Sequence, residues 1–320
     1  MGYNYPRWSK LPYTGENSPP NNPEEPLAGS WPLIFLKRDG RGWFTDPLGN
    51  PIPNVKDPNT IDWHSQLRAV QETLSHLTVE EQVIADYWGT GQAIKQITPI
   101  IDGLIDTYTV FMTGIPPESL SQPRASRILA LTQAAIQDAT IVCWAVKYRF
   151  DVARPNQQDH NLPTYLCTPR HPSYVSGHGV IAGVAAEVLS YFFPAERDRL
   201  NELADEDGIS RVYAGVHFPI DISEGLKLGR AIGRGLVDYF RTQVDAVGNP
   251  VDQPFTDNRN PKLPPGCYPY EQAIPFDFEV ACQSTILKVS ITDKIKKFLL
   301  RLAACKRIWT TKTSCNCSEE

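Results

Sequence analysis

The chain has 320 residues, with 31 Lys or Arg against 36 Asp or Glu, a net charge of −5 and a pI near 5.7. At 41% apolar and 21% charged residues it has the composition of a globular protein with ample chain for a core, which excludes a disordered or fibrous molecule. The acidic balance argues against non-specific nucleic-acid binding, so no nucleic-acid partner is expected.

From the N-terminus, MGYNYPRWSKLPYTG lacks the apolar core of a secretory signal, and Pro6 stands where a myristoylation site needs Ser or Thr. Eleven of the 28 prolines lie in residues 1–60 and seven more in 245–275. Proline breaks helix interiors and central strands, so the ends are predicted to be loop-rich and the middle helical. The expected organisation is a Pro-rich segment 1–60 packed on the core, a helical catalytic domain 61–287 and a basic tail 288–320. Helices are predicted over Asp62–Ser75, then from the capping box Thr78-Val79-Glu80-Glu81 to Gly89, then over 94–113. A long helix is predicted from Pro123 to Arg149, followed by Ser176–Phe193, Ala195–Asp207 ended by Gly208, and Asp221–Arg241. These elements describe an all-α helical bundle. The longest apolar stretch, Val180–Phe193, is interrupted by Glu187 and Ser190 and falls short of the roughly 18 residues of a membrane span, so a soluble, cytoplasmic protein is expected.

The tail changes character. Over Ile291–Ile308, Ile291, Ile295, Phe298, Leu299 and Leu302 lie on one side, with Lys294, Lys296, Lys297 and Arg301 between them. Such a basic amphipathic helix docks on a membrane surface, on its own domain or on a second subunit, so a homodimer and peripheral membrane contact stay open. Seven cysteines, an odd number without a signal peptide, fit reduced thiols; the terminal Cys315-x-Cys317 has no second pair at zinc-site spacing.

The chemistry concentrates between residues 147 and 221. Of six histidines, His64, His76 and His160 are scattered, whereas His171, His178 and His217 fall in two short segments rich in Gly, Ser and Arg. Lys147, Arg154 and Arg211 are cations of the kind that converge on an oxyanion. Ser176-Gly177-His178 opens an apolar helix, where backbone N–H groups make an anion site and Gly177 permits close approach. His178 and His217 supply an acid/base group and a nucleophile or ligand near neutral pH. Asp221, four residues after His217, is placed to fix its ring through the other nitrogen. Each motif alone is weak: Lys-x6-Arg is usually a solvated face, Ser-Gly-His a helix start, His-x3-Asp a surface pair. Their ordered occurrence within 75 residues is what singles them out.

K-x6-RP, P-x3-SGH and SR-x5-H-x3-D resemble the superfamily of vanadium-dependent haloperoxidases and type 2 phosphatidic acid phosphatases. The segment Leu77–Gln82 followed by Tyr87-Trp88 is similar to the bacterial haloperoxidase-like branch, which extends the likeness over about residues 30–285. The resemblance implies a helical bundle with vanadate as cofactor, or phosphate as its isostere in a phosphatase. It implies that His217 coordinates vanadium or becomes the phosphohistidine. Lys147, Arg154, Ser176, Gly177 and Arg211 would hold oxygens, with His178 as acid/base. The peroxidase would use hydrogen peroxide and halide, and its organic substrate is not specified.

Trp144, three residues before Lys147, is similar to several haloperoxidases; His171, five before Ser176, is similar to algal bromoperoxidases, where chloroperoxidases carry Phe. These two residues favour a haloperoxidase acting on bromide or iodide, with Trp144 and Asp221 supporting the ligands and His171 assisting catalysis. The plain alternatives are a core Trp144 and a loop His171. Val175 departs from the Pro common before the Ser-Gly-His, and Arg149 and Arg170 are expected to add positive charge nearby. A soluble acid phosphatase remains the alternative, and a non-catalytic oxyanion binder the third class.

Overall fold

A computed structural model of the chain describes residues 2–109, 120–261, 263 and 282–310, with side chains as far as residue 300. Among them are nine α-helices and one two-stranded hairpin, β1 (Lys37–Arg38) and β2 (Phe44–Thr45). The all-α reading therefore holds. Helices α1 (Trp63–Ser75), α2 (Val79–Gly89) and α3 (Ile97–Tyr108) follow the predicted order, with the Thr78–Glu81 capping box in place. The predicted third helix began three residues earlier, and its end at residue 113 lies outside the described residues.

The bundle is centred on α6 (Gly177–Phe192). Every position of this helix except His178 and Glu187 is buried, the signature of a helix surrounded by others. α8 (Pro219–Phe240) crosses it backbone to backbone: a Cβ on Gly229 would stand 2.2 Å from the Val180 carbonyl oxygen, and one on Gly225 would stand 2.8 Å from that of Ser176. The close crossing continues to the N-cap of α6, where the Ser176 amide donates to the Asp221 carbonyl in the first turn of α8 at 2.9 Å. Packing thus brings the start of α6 to the start of α8.

α4 (Gln122–Phe150) packs on α6. By length and composition it could cross a membrane, which the sequence reading did not single out, yet 56% of its apolar window is buried in the fold. It also carries the buried carboxylate of Asp138, which accepts from the amides of Ile34, Phe35 and Leu36 at 2.7–2.8 Å and ties down the N-terminal segment. Three amides would lose their acceptor in Asp138→Ala, so that variant is expected to lose about 2 kcal/mol of stability in denaturant titration. An unchanged midpoint would contradict this anchoring.

Two expectations are corrected. The helix predicted to stop at Gly208 runs on as α7 (Arg197–Tyr213), so Ser210 and Arg211 are helical. Gly208 is a packing glycine: a Cβ there would meet Ile222 Cγ2 at 2.6 Å. The cysteines are also not all thiols, because Cys167 and Cys282 form a disulfide. The segments carrying them run side by side, with Leu287 N–H donating to Thr164 O at 2.8 Å and Thr164 N–H to Thr285 O at 3.2 Å. Their Cα atoms lie 5.6 Å apart, within disulfide reach, although 115 residues separate them in the chain. Cys143 is a buried free thiol, while Cys315 and Cys317 lie outside the described residues. The remaining helices are α5 (Pro155–Gln158) and α9 (Ile291–Thr310), the latter two residues longer than predicted.

Candidate active site

The fold gathers Lys147, Arg154, His171, Ser176, Gly177, His178, Arg211, His217 and Asp221 around the N-terminal ends of α6 and α8. Lys147 comes from the last turn of α4, and Arg154 from the turn before α5, where Pro155 holds it extended. Arg211 comes from the last turn of α7, and His217 from the link between α7 and α8. His64, His76 and His160 are exposed and are not brought in.

His217 is buried between two opposite groups. Its Nδ1 lies 2.8 Å from Asp221 Oδ2, which also accepts from Ser173 Oγ at 2.5 Å and from the Phe218 amide at 3.1 Å. The last bond closes the first turn of α8, so the carboxylate that caps the helix also orients the imidazole. An ionised carboxylate only accepts, which places the ring proton on Nδ1 and leaves the lone pair on Nε2. Arg154 Nη1 lies 3.0 Å from that nitrogen and also donates to Val216 O at 2.7 Å.

The other arms of Arg154 donate to His171 O (3.0 Å, from Nε) and face His171 Nδ1 (3.1 Å, from Nη2). Lys147 Nζ donates to the carbonyls of Pro172 and Ser173, both at 2.9 Å. Arg211 is different. It is 3% exposed, yet among the described residues its Nε and Nη1 have no hydrogen-bond partner. Its guanidinium lies over Gly89, where a Cβ would come within 2.1 Å of Nη1. Ser176 caps α6, its Oγ accepting from the Gly179 amide at 3.3 Å, so its hydroxyl proton is left to donate. Gly177 is the first residue of α6, where amides lack intrahelical acceptors.

Electrostatics follow from burying three cations together. Burial lowers the Lys147 ammonium to about 7 and the Arg211 guanidinium to about 10, and lowers Arg154 as well. Burial, reinforced by these cations, pushes His171, His178 and His217 well below the ordinary imidazole value, so all three are neutral. Burial raises Asp221 to about 6, against its hydrogen bonds and the cations. Lys147 and Arg154 face the carboxylates of Asp221 and Glu24, and Arg211 faces Asp207, whose pKa burial raises well above the ordinary carboxylate value. Without hydrogen-bonded carboxylate partners of their own among the described residues, the three desolvated cations gain from an oxyanion.

Lys147 is therefore cationic below about pH 7 and neutral above it, so the affinity for a tetrahedral dianion is expected to fall as pH rises. Tungstate, which does not itself titrate near neutrality, isolates the effect: affinity should drop by up to about tenfold per pH unit above 7. Lys147→Met should flatten the profile; a wild-type profile equally flat in calorimetry would contradict the assignment.

His178 is a partly exposed position of α6, its Nε2 3.3 Å from the Trp88 carbonyl. Donation from Nε2 to that carbonyl leaves Nδ1 as the acceptor. Trp144 is in the group as well: its ring lies 5.0 Å from that of His171, tilted by 41°. Arg149 and Arg170 are not. Arg149 lies over the rings of Trp43 and Phe150, and Arg170 is paired with Glu16 at 2.9 Å.

Sequence reasoning missed Glu24, Ser173 and Gly89. Glu24, on the N-terminal segment, brings its Oε2 within 3.8 Å of His171 Nε2, and burial raises its pKa against the pull of Arg154 and Lys147. Its own backbone is fixed from α4: Tyr148 Oη and Trp144 Nε1 donate to its carbonyl at 2.6 and 3.3 Å. No local pattern around Glu24 signals this position. Ser173 and Gly89 had weak signals, the first inside a histidine-bearing segment and the second as an apparent helix stop.

Comparison with known proteins gives the following likenesses. A profile described as the PAP2 superfamily matches residues 127–245. A vanadium-dependent bromoperoxidase of Corallina pilulifera is 33% identical over 98 residues, 22% of this chain and 16% of that protein. An undecaprenyl-diphosphatase of Sulfolobus acidocaldarius is 34% identical over 89 residues, 27% of this chain and 41% of that protein. The chain thus spans less than half the length of either relative. Among solved structures, a bacterial vanadium-dependent iodoperoxidase superposes with a TM-score of 0.51 at 22% identity, covering 73% of this chain and 62% of that one. A holo bacterial vanadium-dependent chloroperoxidase gives 0.53 at 14% identity, covering 74% and 62%. At these identities the structures share the fold.

Proposed function

We propose, from the premise that residues 127–245 of this chain form a PAP2 superfamily domain, that the protein is a vanadium-dependent haloperoxidase that oxidises bromide or iodide with hydrogen peroxide. The observation carrying this reading is the buried trio Lys147, Arg154 and Arg211 beside the Nε2 lone pair of His217, with two Arg211 nitrogens lacking hydrogen-bond partners among the described residues. That donor set fits vanadate: cationic and neutral N–H and O–H donors for its oxygens, and one imidazole for its central atom. Bound vanadate supplies a Lewis-acidic centre that activates peroxide toward halide.

This chain's residues supply the rest. Lys147, Arg154 and Arg211, with the Ser176 hydroxyl and the Gly177 amide, hold oxygens and neutralise their charge. Asp221 keeps the proton on His217 Nδ1, so Nε2 is always the binding nitrogen. His178 is neutral and takes a proton at Nδ1 while its Nε2–H stays on the Trp88 carbonyl. Burial keeps bulk water from the donors, which strengthens each contact. The Trp144–His171 pair supports peroxidase chemistry on a soft halide, because it adds a neutral imidazole and an aromatic face beside the cations. A soluble molecule is part of this reading, in which the partly buried α4, 56% of its apolar stretch inside the fold, serves as a core helix.

A phosphatase is the second reading, supported by the local likeness to the diphosphatase and by the same His217 lone pair. In that chemistry His217 Nε2 attacks phosphorus, and His178, having first gained a proton at Nδ1 as the bound phosphate dianion favours, gives it to the leaving oxygen. Water, deprotonated by the now neutral His178, then hydrolyses the phosphohistidine. The test is dye bromination by purified protein given orthovanadate, bromide and peroxide. Turnover that needs all three supports the peroxidase. No bromination, with hydrolysis of nitrophenyl phosphate by the vanadate-free protein, would replace it with the phosphatase.

A further inference from the structure

We propose that α9 is a docking surface for anionic lipid, holding the protein at a membrane face without crossing it. The helix carries six Lys or Arg against one Asp, a net charge of +5 on a chain of net −5. Ile291, Ile295 and Phe298, spaced as i, i+4 and i+7, share one face. That face is open: Ile291 is 77% exposed, Phe298 61% and Ile295 55%, with Leu299 beside them at 54%. Four large apolar side chains standing in water on consecutive turns do not belong to an ordinary surface, where such residues are scattered singly.

What holds the helix to the body lies on another side. Lys297 Nζ donates to Asp86 Oδ2 of α2 at 2.8 Å and to the Tyr165 hydroxyl. Lys297 is consequently withdrawn, while Lys294 and Lys296 stay with the apolar stripe as free cations in solvent. An apolar stripe bordered by lysines on an otherwise acidic protein is complementary to a surface with acyl chains below and negative headgroups above. A second copy of this chain is the poorer fit, because two such faces would bring like charges together. The proposal is independent of the chemistry assigned to His217.

The test is co-sedimentation of the full chain with vesicles of phosphatidylcholine alone or mixed with phosphatidylglycerol. Binding is expected to the mixed vesicles only, weakening with added salt. Ile295→Glu with Phe298→Glu should lower it by about tenfold or more, and Lys294→Glu with Lys296→Glu should do the same. All four positions are exposed, so circular dichroism should report an unchanged fold. Equal binding to neutral vesicles, or full binding by the charge-reversed variant, would overturn the proposal. So would a dimer in light scattering that the Ile295/Phe298 variant dissociates, with no vesicle binding by the wild type; the face would then be an interface between copies.

Discussion

His217→Ala is expected to reduce the affinity for orthovanadate at least about 100-fold, about 2.8 kcal/mol, and to bring bromination to the level of the blank. The Nε2 lone pair of this imidazole lies among the buried cations, 3.0 Å from Arg154 Nη1, and Asp221 holds it in that form from 2.8 Å. Removing it leaves the cations in place, so some anion affinity persists while the central atom loses its protein ligand. The fold should survive, because Asp221 keeps its bonds to Ser173 Oγ and the Phe218 amide. Calorimetry on both proteins, with thermal unfolding as the check on folding, gives the answer. Full affinity in a folded His217→Ala protein would contradict the ligand assignment.

Gly229→Leu should unfold or severely destabilise the protein, by about 3 kcal/mol or more. The atoms in the way are backbone: Val180 O at 2.2 Å, Val180 C at 2.9 Å and Val184 N at 3.0 Å from a Cβ. No rotamer change relieves such a contact, so α6 and α8 must separate, and with them Ser176 and Asp221. Gly103→Ala in α3 is the contrast, since its Cβ would meet only Leu263 Cδ2 at 3.8 Å. That change should be neutral or stabilising by about 0.5–1 kcal/mol, as Ala is the better helix residue. Equal midpoints for the two variants in urea would contradict the account of the α6–α8 crossing.

The legible part of the molecule was what lies close in sequence. Helix starts such as Thr78–Glu81 and the buried run after Ser176 were readable because capping and apolar periodicity are local signals. The candidate site residues from Lys147 to Asp221 were singled out for the same reason, because the three short motifs are each contiguous, and the fold brings these residues together. Gly208 misled because a stop glycine and a packing glycine look alike until the partner, Ile222, is known. Glu24 and the Cys167–Cys282 bond were invisible because each depends on contact between segments more than 100 residues apart. Arg149 and Arg170 looked like site cations by number, yet their side chains leave for Trp43 and Glu16. Charge near a motif says little until the direction of the side chain is fixed.

The most direct measurement is X-ray absorption at the vanadium edge on protein loaded with one equivalent of vanadate. The account predicts a single imidazole nitrogen among the scatterers, lost in His217→Ala and kept in His178→Ala. A shell of oxygen alone in the wild-type protein, with bromination intact, would mean that the cations hold the anion without His217, and the proposed ligand would be wrong.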